Sequence, residues 1–474
     1  MFHSNHFSCR LRHLPKTKPS LVVLAFAGFS FVLGAETPPA SAPVAIPPLV
    51  FKHTTLSNGL EIYAVEDHAA PTVAVQVWYH VGSKDDPKDR SGFAHLFEHM
   101  MFKGNEHLKE DTFDELTENI GGENNAFTAP DMTVYHEIVP SNYLEPILWA
   151  EAERMSSLAL NETNFNSERD VVKEEYRQRI LANPYGEFIL AVEQNSFSTH
   201  PYKRPAIGSI QDLDASKLPE VRAFHSIFYR PDNATLIVVG DFKPSDLISW
   251  TNKYFGPIPK PATKIPRVTV REPPRREAIR TILYSPKAPL PAFAVTYLAP
   301  SIRNEDAPAL FLADSILSEG ESSRLYQTLV YQKQIAARVG FNADLRQDLG
   351  LLSFQVILAS GKSVGEGEKA LETEMQSILE KGVTEQELEK AKNQFLTGKL
   401  RELQTNNGKA SALGEAAVVY GDANRVNTDL PKIQAVTADQ VKAVLNKYIK
   451  GKKKVVIEDL PESMKNSKKA AKTE

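Results

Sequence analysis

A break near the middle of the chain restricts the fold more than any other feature. Residues 257–276, PIPKPATKIPRVTVREPPRR, are dense in proline and basic side chains, a composition that suits neither a helix interior nor a central strand and reads as a linker. The patterns on its two sides partly repeat. Before it, Thr72 to Tyr79 (TVAVQVWY) alternates with the strand period and puts Val73, Val75 and Val77 on one face. Ser91 to Phe102 then reads as a helix capped by Asp89 or Ser91, and Ala234 to Val239 (ATLIVV) as a buried strand. After it, Ala292 to Tyr297 (AFAVTY), a helical Ala307 to Leu317 and Lys454 to Ile457 (KVVI) follow in the same order. An Asn58-Gly59 hairpin between TTLS and LEIYAV, and a strand from Thr133 to Val139, complete the first half. At 474 residues the chain exceeds one ordinary domain. Two copies of one α+β unit are expected, at 49–256 and 277–462.

The ends read differently. Arg10, Arg12, Lys16 and Lys18 precede a 15-residue apolar run from Leu21 to Ala35. That is too short for a membrane-spanning helix of about 20 residues and suits a secretory signal, residues 1–35, with export to a bacterial periplasm. An uncleaved anchor is the competing reading. Residues 36–48, rich in Pro, Ala and Ser, read as a flexible leader, and 463–474 as a basic tail. Cleavage leaves 51 basic against 59 acidic side chains, a net charge of -8, which favours solubility and gives no footprint for nucleic acid. Cys9 is the only cysteine, so the body has neither disulfides nor thiolate ligands.

All twelve histidines lie at or before His225, so an imidazole site belongs to the first half. Two of them stand in His95-Leu96-Phe97-Glu98-His99. On a helix, residues four apart project from one face, so both imidazoles can reach one zinc ion at about 2.0–2.1 Å. Glu98, on the same side, can take a proton from a zinc-bound water. The competing reading is a surface helix with two solvated histidines. Phe93, Ala94, Leu96, Phe97, Met100, Met101 and Phe102 oppose it, because a polar trio on so apolar a helix needs partners. A third ligand must come from elsewhere. In the helical stretch Glu168 to Arg179 (ERDVVKEEYRQR), Glu168, Val171, Val172 and Glu175 share a face. Glu175 is the candidate ligand, Glu168 would orient a ligand or the water, and Glu174 points away as a solvated charge. An ordinary charged surface helix is the alternative.

These residues resemble a known family. HLFEH, with Glu175 lying 76 residues beyond His99 in ERDVVKEE, is similar to the pitrilysin and insulysin-like inverzincins, above all the short members related to the β subunit of the mitochondrial processing peptidase. GFAHLFEHMMFKG (Gly92 to Gly104), NAFTAPDMTVY (Asn125 to Tyr135), HPYKRPAIGS (His200 to Ser209) and SSRLYQTLV (Ser322 to Val330) extend the likeness. The resemblance implies a zinc endopeptidase of two homologous α+β domains, each a mixed or antiparallel sheet flanked by helices. Together they form half of a clamshell chamber for peptides or unfolded segments. It also implies one Zn²⁺ per chain and substrate pairing along an edge strand at Asn125, Ala126 and Phe127. A turn role for Asn125 and a core role for Phe127 are the alternatives.

One departure stands out. Active single-chain relatives carry an Arg and a Tyr seven residues apart in the second half, holding substrate and stabilising the oxyanion. Ungapped from SSRLYQ, this chain places Val330 and Ala337 there. Arg324 and Tyr331 are also seven apart, but Arg324 belongs to SSRLYQ itself, so their spacing reads as coincidence. The resemblance therefore suggests a homologous partner subunit bearing the Arg/Tyr pair, or a homodimer. A non-catalytic processing-peptidase-like interaction subunit, and a maturation enzyme for a peptide-derived product, are the rival functions.

Overall fold

The computed structural model describes residues 46–105, 107–108 and 112–465. The expected signal segment, most of the leader and most of the tail lie outside them. No helix among the described residues is long and apolar enough to cross a membrane.

The first half builds a six-stranded sheet from β1 (Lys52–Thr55), β2 (Glu61–Glu66), β3 (Thr72–Tyr79), β4 (Glu123–Thr128), β5 (Thr133–Pro140) and β6 (Ala234–Gly240), in the order β1-β2-β6-β3-β5-β4. The second half builds a five-stranded sheet from β7 (Ile279–Ser285), β8 (Ala292–Ala299), β9 (Ala336–Asp344), β10 (Gly350–Leu358) and β11 (Val455–Pro461), in the order β7-β11-β8-β10-β9. The expected duplication is present strand for strand. β2 and β6 run parallel, as do β7 and β11, and every other pairing is antiparallel. Among the described strands, only β1 has no counterpart. It is the first arm of the Asn58-Gly59 hairpin, with Thr55 opposite Glu61 and Gly59 at φ +93°.

The helices that position the site or cover the sheets are α1 (Phe93–Met100), α2 (Glu162–Tyr176), α3 (Gly186–Ser196), α4 (Ala307–Ser318), α5 (Glu385–Glu402) and α6 (Asn406–Gly414). On one face of the first sheet, Val73, Val75 and Val77 pack with Phe93, Leu96 and Phe97 of α1, as the alternation predicts. The opposite face is buried as well. There Ala74, Trp78, Ile237 and Val239 join a core with Ala410 and Leu413 of α6, a helix of the other half. Gln76 Nε2 donates to Asn407 Oδ1 at 2.7 Å and Ser411 Oγ at 3.0 Å, and Gly414 lies against the Trp78 ring, where a Cβ would come within 2.3 Å. The exchange is mutual. Phe188, Ala191 and Val192 of α3 pack on Ala292 and Ala294 of β8 and on Val455 and Ile457 of β11, and Ser196 Oγ meets Thr296 Oγ1 at 2.8 Å. Each half thus closes the other's sheet.

The proline-rich segment has no regular structure but is tied down. Arg267 donates to the His80 carbonyl at 2.7 Å and to Asn233 Oδ1 at 2.5 Å. Glu272 accepts from the amides of Ser198, Thr199 and His200 at 2.6–2.9 Å.

The start of α1 corrects one expectation. Its N-cap is Gly92 at φ +88°, not Asp89 or Ser91. The acceptor is Asp86, whose carboxylate takes the Gly92 and Ala94 amides at 2.8 Å each. A carboxylate there satisfies orphan donors and complements the positive end of the helix. The HPYKRPAIGS stretch braces the same turn. Gly208, at φ +74°, sits so close that a Cβ would fall 2.2 Å from the Ser91 carbonyl oxygen, and Asp212 accepts the Ser91 amide at 3.0 Å.

Candidate metal centre

α1 supplies His95, Glu98 and His99, and α2 packs across it with Glu168 and Glu175 one face inward. Among the described residues, His95, His99 and Glu175 form the one group of three whose ligand atoms all lie within 4.8 Å of one another. Glu175 Oε2 is 3.5 Å from His95 Nε2 and 3.3 Å from His99 Nε2. Two atoms each about 2.0–2.1 Å from one tetrahedral zinc stand about 3.3–3.4 Å apart, so the spacing fits a shared ion. The donor set fits as well: Glu175 Oε2 is buried with no hydrogen-bond partner, a state that is costly for a polar atom unless something else engages it.

Around this trio the groups are differentiated. Glu168, 5% exposed, places Oε2 3.4 Å from His99 Nδ1, while Lys103 Nζ holds its Oε1 at 2.9 Å. Glu98, 9% exposed, accepts from Thr128 Oγ1 at 2.5 Å. Burial raises the Glu98 carboxyl to about 6 against the lowering effect of Thr128. Burial, then the neighbouring His99, lowers His95 to about 4. Burial also works to lower His99, but the facing Glu168 and Glu175 carboxylates outweigh it and lift the group to about 9. Glu174 lies outside the cluster, paired with Arg177 and Gln178 at the surface.

The strand carrying Asn125, Ala126 and Phe127 is β4, the last strand of its sheet, with one edge unpaired among the described residues. Asn125 is within the strand rather than in a turn, and its Oδ1 accepts from the Ala126 amide at 2.8 Å. Phe127 is 38% exposed, edge-on to Trp78, so the core role considered for it does not hold. Thr128 ends the same strand, which links this edge directly to Glu98. Thr128 and Lys103 were not among the residues expected from sequence. Lys103 stands four beyond His99, a helical spacing, but Thr128 meets Glu98 only through the sheet.

Among the described residues, the second half carries no comparable set. Where α4 meets α5, Ser315 Oγ bonds Gln394 Oε1 at 3.2 Å. Arg324 is locked to Glu387 by two hydrogen bonds of 2.6 Å, and Tyr331 is 70% exposed, so the geometry gives them no joint role. Val330 packs on the core of that half and Ala337 is exposed on β9.

Comparison with known proteins agrees with this architecture. Residues 61–208 match the insulinase (peptidase family M16) model, and 217–395 the peptidase M16 inactive domain. The zinc protease PqqE of Helicobacter pylori is 33% identical over 344 residues, covering 71% of this chain and 77% of that protein. A probable β subunit of the mitochondrial processing peptidase from Arabidopsis thaliana is 24% identical over 86% of this chain and 79% of its own. The crystal structure of a protease from Helicobacter pylori superposes with a TM-score of 0.83 at 28% identity, over 87% of this chain and all of that one. The chain therefore belongs to the insulinase family, peptidase family M16.

Proposed function

We propose that the chain is a zinc-dependent endopeptidase that hydrolyses peptides or unfolded protein segments. His95, His99 and Glu175 hold the ion. The observation that carries this is the convergence of their Nε2, Nε2 and Oε2 atoms at 3.3–3.5 Å around a buried carboxylate oxygen that no hydrogen bond satisfies. Zinc held there would supply Lewis acidity, polarising the scissile carbonyl and acidifying the attacking water. Glu98 takes the proton from that water and returns it to the leaving amine. Burial suits it to this task, because a carboxyl near 6 both accepts and releases a proton close to neutrality. Thr128 fixes the Glu98 carboxylate, and Glu168, backed by Lys103, fixes the His99 ring. The free edge of β4 pairs with an extended substrate through its main chain at Asn125, Ala126 and Phe127, and leads it toward Glu98.

Val330 and Ala337 leave this chain without an evident second-half oxyanion donor. That favours a homologous partner subunit, or a second copy, as its supplier. The basic and apolar pattern of residues 1–35 supports export to the periplasm, and the two homologous domains are read as 49–256 and 277–462. The test is metal analysis with peptide hydrolysis for the wild type, Glu98→Gln and Glu175→Ala. Stoichiometric zinc in the first two, its loss in the third, and cleavage by the wild type alone or with its partner are expected. Zinc with no cleavage in any pairing would establish the interaction-subunit reading instead. Undiminished cleavage by Glu98→Gln refutes the role of that residue.

A further inference from the structure

The two oxygens of Glu175 have different neighbours. Oε2 faces both imidazoles and makes no hydrogen bond. Oε1 forms an ion pair with Arg179 Nη1 at 2.7 Å. Arg179 follows Glu175 by four residues, but the helix between them is not uniform. Residues Arg177–Leu181 form a π-helical turn, in which the Ala182 amide reaches back to the Arg177 carbonyl at 2.7 Å. Such an underwound turn rotates Arg179 back toward the line of Glu175, and turns of this kind recur at functional sites. Its neighbour Arg177 goes the other way, to Glu174 Oε2 at 3.2 Å. Beyond its one contact, the Arg179 side chain is 69% exposed.

A carboxylate can bind zinc through one oxygen or both. If both bind, they take up the place that a catalytic zinc keeps for water and substrate. We propose that Arg179 is a positioning residue that occupies Glu175 Oε1, keeps the carboxylate monodentate and so leaves the ion's remaining position open. The π-helical turn is the device that brings the guanidinium into line. This rests on the assignment of His95, His99 and Glu175 as metal ligands.

The test uses the full chain loaded with cobalt(II), whose visible bands are intense in four-coordinate sites and weaken when a fifth ligand joins, so that geometry is read directly. Arg179→Ala frees Oε1, and its bands are expected to fall by about twofold or more relative to the wild type. Arg177→Ala removes the same charge from the same turn and is expected to leave them unchanged. Arg179→Lys, which keeps a donor, is expected to retain the wild-type spectrum. Superimposable spectra for the wild type and Arg179→Ala overturn the proposal. So does an equal loss in Arg177→Ala, which would make the effect one of net charge. Failure of the metal-site assignment looks different: no cobalt is taken up by the wild type, or Glu175→Ala binds it as tightly.

Discussion

The helix that carries His95 and His99 starts where two glycines meet, and this contact yields the sharpest test of how the candidate site is held. Gly208→Ala places a methyl group 2.2 Å from the Ser91 carbonyl oxygen and 2.5 Å from both the Ser91 carbonyl carbon and Gly92 Cα. All three are backbone atoms, so no rotamer change relieves the clash. The substitution has two costs. An L-residue at φ +74° loses about 1 kcal/mol to left-handed strain. Overpacking of a rigid interior adds about 1–3 kcal/mol. Gly121→Ala separates the two, because Gly121 has φ +77° and nothing within 4 Å of its would-be Cβ. It should cost only the strain. The difference of about 1–3 kcal/mol is read as a shift in the urea unfolding midpoint followed by circular dichroism. Relief must move backbone on one side of the contact, Ser91 and Gly92 or the turn at Gly208, and His95 lies three residues beyond Gly92. Chelator competition should therefore show weaker zinc binding in Gly208→Ala and wild-type binding in Gly121→Ala. Equal stability and equal zinc affinity in the two variants would refute the claim that this backbone contact seats the helix.

Other perturbations probe the remaining supports. Glu168→Gln removes the charge facing His99 Nδ1 and should weaken zinc binding by about 10–100-fold; wild-type affinity would deny Glu168 that role. Thr128→Val deletes the hydrogen bond that holds the Glu98 carboxyl down, so the acid limb of the pH–activity profile should move to higher pH. An unmoved limb would show that Glu98 does not govern it. In the second half, burial acts to raise the Glu387 carboxyl, but Arg324 and the Thr384 amide outweigh it and hold the group down to about 2. A depressed carboxyl stabilises the fold above its ordinary value and loses that contribution as the pH falls through about 2. Glu387→Gln should therefore cost about 1–3 kcal/mol near neutrality, after screening, and progressively less between pH 5 and 2. A cost that does not change with pH would contradict the pairing with Arg324.

Much of this was legible because it is local. The Asn58-Gly59 hairpin, the alternation in Thr72–Tyr79 and the four-residue spacing of His95 and His99 are short-range signals, and each appears where it was expected. Glu175 was legible for a similar reason, since its face of α2 is fixed by helical period once the helix is recognised. What escaped depends on partners far away in sequence. Asp86 caps α1 only because the preceding turn folds back on it. Phe127 looked like a core residue by type, yet the edge position of β4 leaves it exposed. Thr128 reaches Glu98 across 30 residues, and Gln76 reaches Asn407 across 331. The alternation of β3 marked one buried face. It held no sign that the other would be covered by α6.

That covering sets a schedule. The first sheet is complete once Gly240 has been made, but the helix that closes its second face begins at Asn406, 166 residues later. At roughly 5–20 residues per second, Ala74, Trp78, Ile237 and Val239 wait about 8–33 s for their cover. A chain stalled or truncated in that interval presents a wide apolar sheet with nothing to place on it. Its early life is therefore a problem for chaperones, and a premature stop before α6 costs the half that carries His95 and His99 as well as the half that is missing.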